Sequence, residues 1–358
     1  MNDTTIAVDV AKAVFEVAVS AQPGHVRERH RLSREGFGRL LRAQPAATVV
    51  MEACGSAHYW GRRAQQQGHE VVLIPPHVVR PYVRGNKTDR TDTKGLLKAF
   101  RNEEVRAVPV KSETQQALAA LHRLRSTWVA TRTARLNTVR GLLREFGVVI
   151  PVGARQVVPH VRALLEDADA GIPGLLRPAL AEAVAEIGEL ETRLRAVERH
   201  LETAAAGSLV VGQLRTVPGI GVLTATALVA AVGDVQRFPS ARHFASYLGL
   251  TPREHSSGAR RRLGAISRRG DTYLRMLLIH GARAVLWHAK RPSAAARSAA
   301  HVGAAARTPA GSHQGRRRVS QQAGAHRLGG LDARHELHSP SDGLRRHPAK
   351  KGACETRH

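Results

Sequence analysis

TTIAVDV at residues 4–10 and VFEVAVS at 14–20 are two short runs rich in β-branched residues, separated only by Ala11, Lys12 and Ala13. Both read as strands. In the first, Ile6, Val8 and Val10 point one way, so the alternation puts Asp9 on the opposite face with Thr5 and Ala7. Working outward, a third strand fits around 25–32. TVVME at 48–52 and EVVLI at 70–74 add two more, each bounded by Gly or Pro punctuation. Helices fit between them. Ser33 caps one that carries Phe37, Leu40 and Leu41, and 57–67 forms another. Three strands, then helix, strand, helix and strand predict an α/β domain, a mixed sheet flanked by helices, over 1–105.

Beyond it the period changes. Leu118, Leu121, Leu124, Val129, Leu136, Val139, Leu142 and Leu143 recur at about 3.6 residues, predicting a long helix over 112–146. A second long helix, with Glu and Arg at i,i+4 offsets, covers 178–205. The helical region 106–207 suits either a dimerising or RNA-contacting coiled coil or a connector packed within one chain. A third, mainly α unit spans 208–291. The last 67 residues, 292–358, hold no Ile, Met, Phe, Tyr or Trp but seven of the 19 histidines. Such a tail cannot bury a core and reads as low-complexity, disordered, or the product of a shifted reading frame. Its histidines are scattered, against a metal-binding tract.

Charge narrows the partners. Lys and Arg number 55 against 29 acids, a formal net charge of +26. A polyanion is the natural partner, because each phosphate neutralised releases condensed counterion. Only eight of the 55 are Lys, so GC-rich codon usage contributes to the excess. Cys54 and Cys354 are the two cysteines, without metal-ligand spacing, which argues against a disulfide scaffold or zinc site. No apolar run reaches the roughly 18 residues of a membrane span, and no signal peptide opens the chain. The expectation is a cytoplasmic protein with no membrane partner.

Four acids stand out. Asp9 closes an apolar strand and Glu52 closes another that should lie nearby. Asp89 and Asp92, three apart in KTDRTDTKGLLKAF, share one helix face. Taken singly, each has an ordinary explanation: a strand-end device, or a helix cap favoured by the dipole. Taken together, four converging carboxylates repel unless a cation sits among them. Hard Mg²⁺ prefers such oxygens, and paired ions serve strand cleavage. Lys87, Arg90 and Lys94 would bring a phosphate to them.

In the third unit, LRTVPGIGVLTATALVAAVGD (214–234) has the form of a helix-hairpin-helix. Gly219 and Gly221 make a tight turn whose N–H groups, with the next helix start, suit a DNA phosphate. FPSARHFASYLGL (238–250) reads as a helix with Phe238, Phe244, Tyr247 and Leu248 in the core. In TPREHSSGARRRLGAISRRGD (251–271), Ser256 and Ser257 lie among Arg253, Arg260, Arg261, Arg262, Arg268 and Arg269. A serine hydroxyl needs such charge stabilisation to attack phosphorus, although a Ser-Gly pair in a basic loop is also an ordinary turn.

AVDVAK, MEACGSAHYW, KTDRTDTKGL, VPGIG and SYLGLTPREHSSG…RRLGAISRRGD, in this order over roughly 4–290, resemble transposases of the IS110 and IS1111 insertion-sequence families. The resemblance implies an RNase H-like, RuvC-like first domain whose tetrad Asp9, Glu52, Asp89 and Asp92 binds Mg²⁺. It also implies a C-terminal domain with a nucleophilic serine, Ser257 with Ser256 as the fallback, that forms a covalent link to DNA. By the same analogy the protein acts as a homodimer or homotetramer, with each site shared between protomers. An element-encoded structured guide RNA would select donor and target DNA. Where relatives continue past GARAVL with Leu-rich helix, this chain has the polar WHAKRPSAAARSAAHVG, which implies a weakened or inactive copy. Two other readings remain: a RuvC-like nuclease or junction resolvase without a covalent intermediate, and a non-catalytic nucleic-acid binder.

Overall fold

A computed structural model describes residues 4–22, 25–83 and 88–290. Lys87 and the tail 292–358 lie outside the described residues, so the expectations attached to them have no structural counterpart. The chain opens with β1 (Thr5–Asp9), β2 (Val14–Ser20) and β3 (Glu28–Ser33), then α1 (Arg34–Ala43), β4 (Thr48–Glu52), α2 (Ala57–Gln66) and β5 (Glu70–Ile74). A short α3 (Pro76–Val79) leads to α4 (Asp89–Phe100).

The five strands form one sheet in the order β3-β2-β1-β4-β5, with β1 antiparallel to β2 and parallel to β4. β2–β3 is antiparallel and β4–β5 parallel. This mixed topology is RNase H-like, as expected. The period-2 pattern sets the two faces. Ile6, Val8, Phe15, Val17, Val49 and Met51 pack against Phe37 and Leu41 of α1 and Trp60 and Ala64 of α2. Ala7, Ala18, Val50 and Ile74 face the other way, onto Leu96, Leu97 and Ala99 of α4. Small residues on that face let α4 lie close to the sheet. Ser33 caps α1 by accepting the Gly36 N–H at 3.1 Å, as its position predicts.

The two long helices are α5 (Glu113–Glu145) and α7 (Arg177–Ala206), joined through α6 (Ala154–Glu166). Arg125 pairs with Glu198 and Arg135 with Glu186, so α5 and α7 run antiparallel. Leu136, Val139 and Leu143 meet Leu180, Val184 and Ile187 with Val157 and Val161 of α6. Within one chain these helices therefore form a packed hairpin, and much of their apolar stripe is spent inside it. α6 was not foreseen, because Pro159 sits inside it; the ring is tolerated at the cost of one helical hydrogen bond.

The last part comprises α8 (Leu209–Arg215), α9 (Val222–Val232), α10 (Ala241–Tyr247), the two-stranded β6 (Pro252–Glu254) and β7 (Leu263–Ile266), and α11 (Thr272–Ala289). Its core joins Val211, Leu214, Leu228, Phe244, Leu248, Leu274 and Leu278. The expected 238–250 helix is shorter, beginning only at Ala241 after the turn at Ser240. Phe244 and Leu248 are buried, but Tyr247 is 37% exposed and its ring rests tilted against Phe238. His122 of α5 ties this core to the rest. It meets the Thr226 hydroxyl at 2.9 Å and the Tyr273 hydroxyl at 3.1 Å. Thr226 Oγ1 already donates to the Val222 carbonyl, so His122 Nε2–H is the donor to it and Nδ1 accepts from Tyr273. Burial, and then Arg125, push the ring's pKa down to about 4.

Candidate active site

Two of the expected acids end neighbouring parallel strands. The β1–β4 register runs Thr5 to Thr48 through Val8 to Met51, so the next step sets Asp9 beside Glu52. Both belong to the alternation Thr5, Ala7, Asp9 and Thr48, Val50, Glu52, which faces α4. Each is only partly buried. Their charges act on a common neighbour, Cys54, whose thiol donates to the Val10 carbonyl at 3.6 Å. Burial raises that thiol's pKa, and the charges of Glu52 and Asp9 add to the effect. Glu16 pairs with Asp9 across β2 but is engaged elsewhere, 3.8 Å from Arg29, which also donates to Thr93 of α4 at 3.3 Å.

Asp89 and Asp92 lie in the first turn of α4, which packs against the Asp9–Glu52 face. Thr88 and Thr91 form a reciprocal capping box there, so the acids have a local role in complementing the helix dipole. Arg90 and Lys94 of the same two turns are exposed. Among the described residues, no three His, Cys, Asp or Glu side chains are grouped closely enough to hold a metal ion. The strand-end pair fits a hard divalent cation as two oxygen donors, and the helix pair is not gathered with it.

The serines stand at the tip of the β6–β7 hairpin. Ser257 and Arg260 exchange backbone hydrogen bonds of 3.3 and 3.1 Å around Gly258, whose φ of +53° suits glycine. Ser256 Oγ donates to Glu254 at 2.7 Å and accepts the Arg262 N–H at 3.1 Å. The Glu254 carboxylate in turn lies 3.3 Å from Arg261. That hydrogen bond, and then the Arg261 charge, hold Glu254 below the usual carboxylate range. The Ser257 hydroxyl has no hydrogen-bond partner among the described residues. Arg253, Arg260, Arg261, Arg262, Arg268 and Arg269 are all exposed, making the hairpin a basic arm. Glu254 was not singled out in the sequence. Its place two residues before Ser256, at the end of β6, was the available signal.

The glycine turn has a packing function. Gly219 adopts φ +85°, and a Cβ there would lie 2.8 Å from the Gly281 carbonyl oxygen of α11. Gly221 is the exposed N-cap of α9. A second close crossing sets the base of the hairpin: Gly270 lies against the backbone of Tyr247 and Leu248, and Gly249 against that of Arg268–Gly270. Arg275, buried and unforeseen, donates to the Gly270 carbonyl at 2.9 Å and the Leu248 carbonyl at 3.4 Å, clasping the crossing.

Comparison with known proteins bears on both regions. Residues 6–148 match a family model described as a transposase, of the DEDD and IS110 type, and residues 212–299 match the Transposase IS116/IS110/IS902 family. A Pseudomonas aeruginosa protein described as a probable family 20 transposase is 44% identical over 80% of this chain and 85% of its own. The transposase for insertion sequence element IS1111A of Coxiella burnetii is 35% identical, covering 81% of this chain and 80% of its own. That for IS1328 of Yersinia enterocolitica is also 35% identical, over 79% and 84% respectively.

Proposed function

Because this chain belongs to the IS110-type insertion-sequence transposases, enzymes that recombine DNA, we propose that it cuts and rejoins the ends of its element with two separate groups, a carboxylate site and a serine. The observation that carries the reading is the placement of Asp9 beside Glu52 on the face covered by α4, whose first turn supplies Asp89 and Asp92. Asp9 and Glu52 would hold Mg²⁺ as two oxygen donors, and Asp89 and Asp92, which are not gathered with them, would join only if the first turn of α4 moved toward the strand ends when DNA binds. When bound, the ion would lower the cost of charge on the phosphate oxygens and on the attacking oxygen. Arg90 and Lys94 border the acids and would draw the DNA backbone toward them.

The attacking group is a hydroxyl at the hairpin tip. The motif favours Ser257, whereas the hydrogen bonds prepare Ser256, and we assign the attack to Ser256. Its Oγ–H already points to a carboxylate held by an arginine, the nucleophile–base–orienter arrangement of activated serines. As the Oγ–P bond forms, the serine proton leaves toward Glu254, which orients the hydroxyl and, with its lowered pKa, hands the proton on to solvent. The P–O bond to the departing strand breaks, and its oxygen is protonated by water. The exposed arginines of the arm steady the phosphate. The arm and the acids are built on different hydrophobic cores, which suits a dimer or tetramer in which one protomer's arm completes another's carboxylate site. An element-encoded RNA that pairs with both DNAs would supply sequence choice, and the enzyme would work in the cytoplasm.

The test mixes full-length protein with element-junction DNA, the flanking transcript and Mg²⁺, then denatures the mixture and looks for a protein–DNA adduct. Wild type should give an adduct that Asp9→Ala and Ser256→Ala abolish and Ser257→Ala retains. An adduct lost only in Ser257→Ala moves the nucleophile by one residue. Cleavage without any adduct overturns the serine and leaves a metal-dependent nuclease.

A further inference from the structure

On the side of the sheet away from α4, helices α1 and α2 lie next to each other over Phe15, Phe37 and Trp60. Between them runs an open groove of about 390 Å³. Four arginines line it, Arg34, Arg39 and Arg42 from α1 and Arg63 from α2, against one acid, Glu35. Arg34 is spent on structure, its guanidinium 5.4 Å from the Trp60 ring centre and 5.7 Å from that of Phe15. Arg39, Arg42 and Arg63 are exposed and make no ion pair with a described residue. Tyr59 also lines the groove and is 42% exposed, its ring set edge-on against Trp60 at 5.2 Å.

Three unpaired guanidinium groups of like charge along two helix faces repel one another, and a phosphate relieves that cost. The exposed tyrosine adds what a phosphate alone does not need, a flat apolar platform. A duplex hides the faces of its bases in its own stack, whereas an unpaired strand offers them to an aromatic ring. The groove is open to solvent along its length, so a base on an unpaired strand can enter it from the side. Gly38 keeps its floor low, since a Cβ there would already touch Trp60 and Arg42 at 3.8–4.0 Å.

We propose that the α1–α2 groove binds an unpaired stretch of nucleic-acid strand, stacking a base on Tyr59 and holding the flanking phosphates on Arg39, Arg42 and Arg63. The sheet separates this groove from the face that carries Asp9 and Glu52. The strand held there is therefore not the one being cut, and the site serves to keep the complex in register. The binding of a strand in the groove needs only that the protein handles nucleic acid, whereas the statement that this strand is not the one being cut rests on the carboxylate assignment of the proposed function.

The experiment is photocrosslinking on the full chain with ten-residue oligonucleotides carrying 4-thiouracil, in RNA and DNA forms of one sequence and as the corresponding duplexes. Adducts are mapped by mass spectrometry, and affinity is followed by fluorescence anisotropy at several salt concentrations. The expected result is an adduct at Tyr59 from a single strand and none from duplex. Tyr59→Ala should remove it and weaken binding roughly tenfold, with Tyr59→Phe restoring both. Arg39→Ala and Arg63→Ala should each lower the salt slope by about one. Gly38→Leu should block the groove without changing charge, and Asp9→Asn should leave the adduct intact. An adduct from RNA alone identifies the strand as RNA, one from DNA alone as displaced DNA, and both outcomes support the site. Crosslinks that avoid Tyr59, or Tyr59→Ala binding like wild type, overturn it.

Discussion

Asp9 and Glu52 end strands whose neighbours Ile6, Ala7, Val8, Val49, Val50 and Met51 are completely buried, whereas Ser256 and Ser257 ride on a hairpin in which only Ile266 is buried. The acids are thus fixed by packing on both faces of a sheet. The serines are fixed by a tight turn, two hydrogen bonds to Ser256 Oγ, and a rigid base where Gly249 and Gly270 cross. The difference teaches how a protein can supply one rigid half-site and one that reaches outward. Packing sets position where solvent is excluded, and local hydrogen bonding sets it where an arm must meet DNA.

Breaking the rigid parts should have the largest effects. Gly270→Ala would drive a Cβ into the Tyr247 carbonyl and should cost about 3 kcal/mol or more, read as the loss of cooperative thermal unfolding. Met51→Ala, at a fully buried site of the sheet, should cost about 2–5 kcal/mol in denaturant titrations. A Met51→Ala protein as stable as wild type would show that the sheet does not depend on packing in the way the comparison requires.

The next effect is set by pH and lies where α5 joins the C-terminal core. His122 is native in its neutral form, with its pKa moved from 6.5 down to about 4. The unfolded ring takes its proton first, so this site's stabilisation is complete above pH 6.5. It is lost progressively as pH falls from 6.5 toward 4, and levels off below that. The total is on the order of 3 kcal/mol. His122→Gln should flatten the slope in that window, and an unchanged slope would assign it to other groups.

The smallest stability changes belong to the arm. Ser256→Ala and Glu254→Gln should leave the unfolding transition essentially where it is in wild type, because both residues are exposed. The same variants should nevertheless abolish the covalent adduct. A large loss of stability in either would make the hairpin part of the folding core and erase its contrast with the sheet.

What was legible in the sequence followed local periodicity. The alternation in 4–20 fixed which face carries Asp9, the Val-rich runs at 48–52 and 70–74 fixed two more strands without their direction, and the 3.6-residue period fixed α5 and α7 almost to their ends. Net charge and motif order identified the nucleic-acid enzyme. These features depend on residues near one another in the chain, so pattern alone specifies them. Other features required residues far apart to meet. The pairing of α5 with α7, the joining of His122 to Thr226 and Tyr273, and the crossing of Gly219 with Gly281 are invisible to a local period. So are the clasp of Arg275 on Leu248 and Gly270 and the arginine groove between α1 and α2. The sequence by itself determined most of the strands and helices, α6 and the β6–β7 hairpin excepted, and the chemical types at their ends. Only the tertiary structure decided which of those ends share a face and which serine hydroxyl has a carboxylate beside it, because direction and distance between elements are settled by side-chain packing and not by periodicity.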